Sequence, residues 1–260
     1  MSFKVSTGLK NQMLNAIRGG VSPLASLQGG WLGIYSGSQP ANADAAATGT
    51  LLLKVTQNSG AYTPGSYATA DADSLCLSST PGAAGVIPRN GVSGGTLVLG
   101  AYVTITGTGN ESTKIFRITG TDNDDAAQIE YLQGPNNSTV STVNTFKTVT
   151  EVYVSAATAA AITVGHGITN GLFYNLAASG QITKHSDQIW SGLGLANGVA
   201  GWFRHYGSAA DDGSYSTTLP RLDGRIATSG AELNSANNTS IVLGATTTID
   251  TWPIAWPTTL

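Results

Sequence analysis

Five short runs between residues 96 and 165 constrain this chain most: "TLVLGAYVTIT", "TKIFRITG", "AQIEYLQG", "EVYVSA" and "AAITVG". Each is rich in β-branched or aromatic residues and is closed off by Gly, Asn, Asp or Pro, the pattern of strands divided by turns. Alternation assigns their faces. Phe116 and Ile118 point one way, and Ile115 and Arg117 the other. Val152 and Val154 share a face from which Tyr153 turns away. Charge supports the same reading. Only 10% of residues are charged, against about 25% in an ordinary soluble protein, and the wet face of a soluble helix is normally built from charged residues. The 33 glycines suit tight turns and bulges. An all-β fold is expected.

One helix is expected, at the start. Ser6 or Thr7 caps it, and Leu9, Met13, Leu14 and Ile17 recur at helical spacing before Gly19-Gly20 stops it. Three turns are marginal alone, so the helix needs a surface, either its own sheet, the preferred reading, or a neighbouring subunit. Beyond residue 170 the loops lengthen. Trp190, Trp202, Phe203 and Tyr206 are the expected core anchors there. The tail "TWPIAWPTTL" places Trp252, Ile254 and Trp256 on one face, while Pro253 and Pro257 bar it from a central strand. These three residues are the candidate subunit contact, on an arm that must dock either on its own base or, the preferred reading, across a subunit boundary.

The rest of the inventory is short of chemistry. Net charge is −3, and the 12 basic residues form no cluster, so neither nucleic acid nor strong steering is implied. Cys76 is the single cysteine, which rules out an intrachain disulfide and fits a reducing compartment. No apolar run reaches membrane-spanning length, and "MSFKVSTGLKNQMLNAIRGG" is not a secretion signal. "GVSGG" (91–95) matches a nucleophile elbow by letter, but a strand follows it where that motif needs a helix. Asp122, Asp124, Asp125 and Glu130 suggest a calcium loop whose spacing fails, because Ala127 stands where the turn glycine belongs. His166, His185 and His205 are scattered and read as surface or turn residues. No catalytic, metal or cofactor residue is therefore expected, nor enzymatic activity.

Two stretches carry a resemblance. The opening, "VSTGLKNQML" with "GGWLGIYSGSQPANADAAATGTLLLKVT", and the end, "QIWSGLGLANGVAGWFRHYGSAADDGSYSTTLPRLDGRIATSGAELN" with "ATTTIDTWPIAWP", resemble small structural proteins of tailed bacteriophages. In those relatives the opening runs almost directly into the end. The part between them, marked by "FRITGTD", "GPN", "FKTVTEV" and "VSAATAAAITVG", resembles a β-domain common in phage virion proteins. Relatives of that domain often carry a "DADG" hairpin where this chain has "DNDDAA".

The resemblance implies an interrupted domain. Residues 1–72 and 168–260 would form a jelly-roll-like β-sandwich base with the short N-terminal helix. Residues 73–167 would form an inserted immunoglobulin-like sandwich. It also implies a virion protein assembled in the host cytoplasm, best read as a capsid decoration (cement) protein that binds the outer shell and stabilises capsomer contacts. The expected partners are the major capsid protein and copies of itself as a trimer, with no nucleic acid and no membrane. A neck or tail component, or a module binding a host-surface glycan, is the alternative. The small-residue loop "SGSQPANADAAATG" (36–49) is then expected to lie flat against a neighbouring subunit.

Overall fold

The computed structural model describes residues 3–17, 27–62, 68–97, 100–168, 170–175, 177–235 and 238–255. The chain divides into two compact units, Met1–Ser66 with Asn170–Leu260, and Tyr67–Thr169. Both are β-rich. In unit 1, Asn170 accepts from the Gln57 N–H and donates through Nδ2 to the Ala61 carbonyl. In unit 2, Ala68 pairs with Ile168. Each unit thus brings together the two points where the chain passes to the other, the geometry that lets one domain interrupt another. Residues 68–72 belong to a strand of unit 2, earlier than the expected boundary.

Unit 1 holds β1 (Lys4–Val5), α1 (Thr7–Ile17), β2 (Trp31–Ser36) and β3 (Leu51–Gln57). After unit 2 come β12 (Gln181–Thr183), β13 (Trp190–Leu193), β14 (Gly198–Tyr206), β15 (Arg221–Ala227), β16 (Leu233–Asn234), β17 (Ser240–Ile241), β18 (Thr246–Ile249) and β19 (Pro253–Ala255). Nine strands make one sheet in the order β1-β15-β14-β2-β3-β13-β18, with β16 beside β15 and β17 beside β14. β12 and β19 form a separate antiparallel pair. The unit is β-rich as expected, with most of its strands joined in this one large sheet rather than in two four-stranded ones. Both faces of its centre are covered, and β2 and β14 read as buried runs.

Ser6 caps α1, accepting the Leu9 N–H on Oγ at 3.1 Å. The same hydroxyl donates to the Leu219 carbonyl and accepts the Arg221 N–H, which ties the helix start to β15. Gly8 allows the close approach: a Cβ there would lie 2.3 Å from the Thr218 carbonyl oxygen. Leu9 enters the core and Met13 packs against it. Leu14, expected on the same stripe, is instead 62% exposed, because α1 meets the core mainly through its first turns.

Unit 2 holds β4 (Ala68–Ser79), β5 (Gly85–Val86), β6 (Ala101–Gly107), β7 (Ile115–Thr121), β8 (Ala127–Gln133), β9 (Thr139–Thr145), β10 (Thr148–Val154) and β11 (Ile162–Ile168). Its two four-stranded sheets run β5-β10-β7-β8 and β4-β11-β6-β9. The pairing is nested. β7 pairs with β8, β6 with β9, β5 with β10 and β4 with β11, all antiparallel. The inner contacts β10–β7 and β11–β6 then close the sheets. A long hairpin rolled up in this way has the strand order of an eight-stranded jelly roll. Unit 2 is thus a two-sheet antiparallel β-sandwich, as expected, and its strand order differs from the immunoglobulin grouping of strands one, two, four and five against three, six and seven. Phe116, Ile118, Val152 and Val154 enter one core with Val103, Ile105 and Val164 of the facing sheet.

Candidate functional site

The most elaborate polar arrangement lies on one face of the unit 1 sheet. Strand register aligns Lys4, Asp223, Arg204, Gly33 and Lys54 in a row across β1, β15, β14, β2 and β3. Arg204 grips Asp223 with two hydrogen bonds, Nε to Oδ1 at 2.7 Å and Nη2 to Oδ2 at 2.8 Å. Both side chains are fully buried. Burial pulls the Arg204 guanidinium toward neutrality, and the Asp223 carboxylate outweighs it, so the arginine pKa is raised. Arg204 also sits 5.5 Å from the Trp202 ring and 5.9 Å from the Tyr206 ring. Those rings stack on Tyr35 and Trp31, at 4.5 Å and 4.1 Å. Gly33 leaves the room: a Cβ there would lie 2.8 Å from the Tyr35 ring. The Tyr35 and Tyr206 hydroxyls meet at 2.5 Å, and burial pushes both pKa values up.

The loop over residues 37–50 and a second over 208–219 close onto this face. Arg221 donates Nε and Nη2 to the Asp211 carboxylate at 2.7 and 2.6 Å. Arg204 Nη1 reaches the Ala45 carbonyl at 3.0 Å, and Lys4 Nζ the Pro40 carbonyl at 2.6 Å. The Asp44 carboxylate accepts both the N–H and the hydroxyl of Thr7. Ala43 is fully buried. The small residues of this loop therefore serve the chain's own sheet, by letting backbone carbonyls approach buried cations. The arrangement is a closed structural clamp in which the arginines and their carboxylates are spent on each other and on loop carbonyls.

The opposite face carries an aromatic group around His205. Its ring lies 5.7 Å from Tyr174, 5.7 Å from Trp252 and 6.5 Å from Trp190. His205 is fully buried, which corrects its expected surface position. Neither ring nitrogen makes a hydrogen bond, nor does the Tyr174 hydroxyl or Trp252 Nε1. Burial, slightly offset by the Tyr206 backbone, lowers the imidazole pKa to about 3. Trp252 is 1% exposed, and both it and Ile254 belong to the unit 1 core. Ile254 pairs with Ile182 through β19 and β12. Side chains spent on their own core have little surface to offer a neighbour, so these two are corrected from subunit contacts to core anchors. Trp256 lies outside the described residues. A cleft of about 330 Å³ in unit 1 is lined by aliphatic groups such as Ile34 and Ile241 and by polar ones such as Asn234, Thr248 and Asp250.

Unit 2 presents an exposed sheet face. Register places Val86, Tyr153, Arg117 and Tyr131 in one row across β5, β10, β7 and β8. Arg117 pairs with Glu151 and lies 4.9 Å over the Tyr153 ring. Val86, Ile115, Ile129 and Tyr131 are exposed around it, Tyr131 at 67%. The face sets these exposed apolar side chains around one ion pair, with the tyrosine and arginine that dominate many binding hot spots.

The remaining residues singled out by sequence have structural surroundings. Asp122 Oδ1 accepts the Asp124 and Ala126 N–H groups, and Asp125 pairs with Lys147. Glu130 accepts the Val143 and Asn144 N–H groups. Ser93 of "GVSGG" donates to the Ser74 carbonyl from within a turn. His166 Nδ1 meets the Ser74 hydroxyl at 2.8 Å. Cys76 is buried, and burial raises its thiol pKa to about 12. Among the described residues, no group of three or more His, Cys, Asp and Glu side chains is placed to hold a metal. Sequence reasoning missed the Arg204–Asp223 and Arg221–Asp211 pairs. The signal was present in "WFRHY" and "RLDGR", where charges alternate with apolar residues inside strands. With this geometry in place, comparison with known proteins adds no identity: no family model, curated protein or solved structure matches the chain.

Proposed function

We propose that this protein is a structural component of a bacteriophage virion, a capsid decoration protein that binds the major capsid protein on the outer shell. The resemblance of its opening, middle and end to phage structural proteins motivates the reading. The observation that carries it is the exposed unit 2 face around Arg117, Tyr131 and Ile129. That face belongs to a sandwich with its own core, and it offers exposed apolar side chains to a partner. Low surface charge suits close packing among many protein neighbours.

The test is the copy number of this chain in purified virions, measured by quantitative mass spectrometry. Hundreds of copies per particle support the shell role. A number fitting a single ring assigns the chain to the neck or tail instead. Exposed Tyr131 beside Arg117 favours a second reading, a host-glycan contact. An array of bacterial surface glycans probed with the full chain tests it, and Tyr131→Ala should abolish any signal.

A further inference from the structure

The cleft in unit 1 has an apolar floor and a polar rim. Ile34 of β2, Ala200 of β14, Ile226 of β15, Leu233 of β16, Ile241 of β17 and Ile249 of β18 make the floor. All six belong to the unit 1 core, so the floor is the core's own edge. The rim comes from residues 234–235, 238–240 and 247–251. Thr247, Thr248 and Thr251 bring hydroxyls to one side of it. The other side is tied by its own hydrogen bonds. Asn234 Oδ1 accepts the Ala231 N–H at 3.0 Å, Asn238 Oδ1 accepts the Ser240 N–H at 2.8 Å, and the Ser235 hydroxyl donates to the Asn238 carbonyl. A rim held in this way loses little freedom when a ligand enters.

Charge then selects the ligand. Asp250 is the one charged residue in the lining. No Lys or Arg occurs between residues 226 and 260, and no ion pair among the described residues uses Asp250. We propose that the cleft binds a small alkylammonium, a primary amine with a short aliphatic body. The body covers the isoleucine floor, and the ammonium meets the uncompensated Asp250 carboxylate within a rim of neutral oxygens, a charge-assisted contact. Other ligand classes each meet a feature they cannot use. An anion faces a carboxylate and no cation. A saccharide finds no aromatic ring to stack on, since no Phe, Tyr or Trp lines the cleft. A divalent cation needs six or more oxygen ligands, and one carboxylate does not supply them. The volume of about 330 Å³ lies at the small end of ligand sites, which keeps the body short. The inference rests on unit 1 alone and does not depend on the virion reading.

The test titrates the full chain at neutral pH with hexylamine, which is an ammonium there, and separately with hexanol and with hexanoate, by isothermal titration calorimetry. The three share one aliphatic body and differ in charge. Hexylammonium should bind a single site about tenfold or more tighter than hexanol, as a hydrogen bond to a charged group implies. Hexanoate should bind more weakly than hexanol. Asp250→Asn, at an exposed position, should bring hexylammonium down to the level of hexanol and leave hexanol unchanged. Thr248→Trp, also at an exposed position, fills the cleft and should abolish binding of both. Intermolecular NOEs from the hexyl chain to the methyl groups of Ile34, Ile241 and Ile249 should locate the ligand in the wild type, without any substitution. The proposal is overturned by the absence of saturable binding, or by equal affinity for the ammonium and the alcohol. It is equally overturned by an Asp250→Asn chain that keeps the preference, or by NOEs confined to methyl groups outside the cleft.

Discussion

Replacing His205 by phenylalanine should remove a pH dependence that this one side chain imposes on unit 1. The imidazole is buried among Tyr174, Trp190 and Trp252 and titrates at about 3 rather than 6.5. As pH falls, the unfolded chain takes up the proton first, near pH 6.5, while the folded chain resists until about pH 3. The unfolded state therefore holds more protons in that window, and stability must fall with falling pH. The slope is about 1.4 kcal/mol per pH unit. Across the gap of 6.5 − 3 = 3.5 units the loss approaches about 5 kcal/mol. At pH 7 the substitution should be close to neutral. It removes two unpaired buried nitrogens, a gain of about 1–2 kcal/mol, and adds ring volume to a filled core, which costs about as much. All five tryptophans lie in unit 1, so urea unfolding followed by tryptophan fluorescence reads that unit alone. Wild type minus variant should change by about 3 kcal/mol between pH 6 and pH 4. Parallel curves over that range would refute the reasoning and mean that the imidazole reaches solvent or a partner.

Asp223→Asn should destabilise unit 1 by about 3–5 kcal/mol, because it leaves the Arg204 guanidinium buried without its carboxylate; the same fluorescence assay reads it. Trp252→Ala should cost unit 1 about 3–5 kcal/mol and leave the oligomeric mass unchanged, since Trp252 packs on Phe203, Trp190 and Tyr174 of its own chain. In unit 2, Glu111 accepts the Ala159 and Ala160 N–H groups and pairs with Lys114; Glu111→Gln should cost about 2–3 kcal/mol and speed hydrogen exchange at those two amides. Burial raises the Glu111 pKa, but the Lys114 and backbone hydrogen bonds outweigh it and leave the pKa lowered, so its contribution should be present above the ordinary glutamate range and fade as pH falls through the depressed value.

Local pattern made much of the fold legible. β7, β8, β10 and β11 are where their runs placed them, and Phe116, Ile118, Val152 and Val154 are buried as alternation requires. The anchors Trp190, Trp202, Phe203 and Tyr206 are buried too. Topology was not legible, for a physical reason. Alternation says which side of a strand is wet and nothing about which strand lies beside it. A nested roll and an immunoglobulin order present the same local runs, and nothing in those runs chooses between them. His205 escaped because a lone histidine between Arg204 and Tyr206 gives no sign of which face is buried when both are. The exposure of Leu195 and Leu243 escaped because "GLGLANGV" and "IVLGA" read equally well as core.

Scarcity of charge links the two sides of this molecule. A chain with 27 charged residues in 260 has few to place, and unit 1 places Lys4, Asp44, Arg204, Asp211, Arg221 and Asp223 in one clamp. A buried ion pair stabilises weakly against a hydrophobic alternative. What it adds here is position. Each guanidinium holds a carboxylate and at least one loop carbonyl, so loops without regular structure are fixed to the sheet by the cations beneath them. Charges used inside are missing outside, and the uncharged turns at Leu195 and Leu243 lie in that remainder. A surface built this way resists neighbours poorly by repulsion and accepts them readily by contact. That is a liability for a protein meant to stay alone. In a part meant to pack against many others it is a working property.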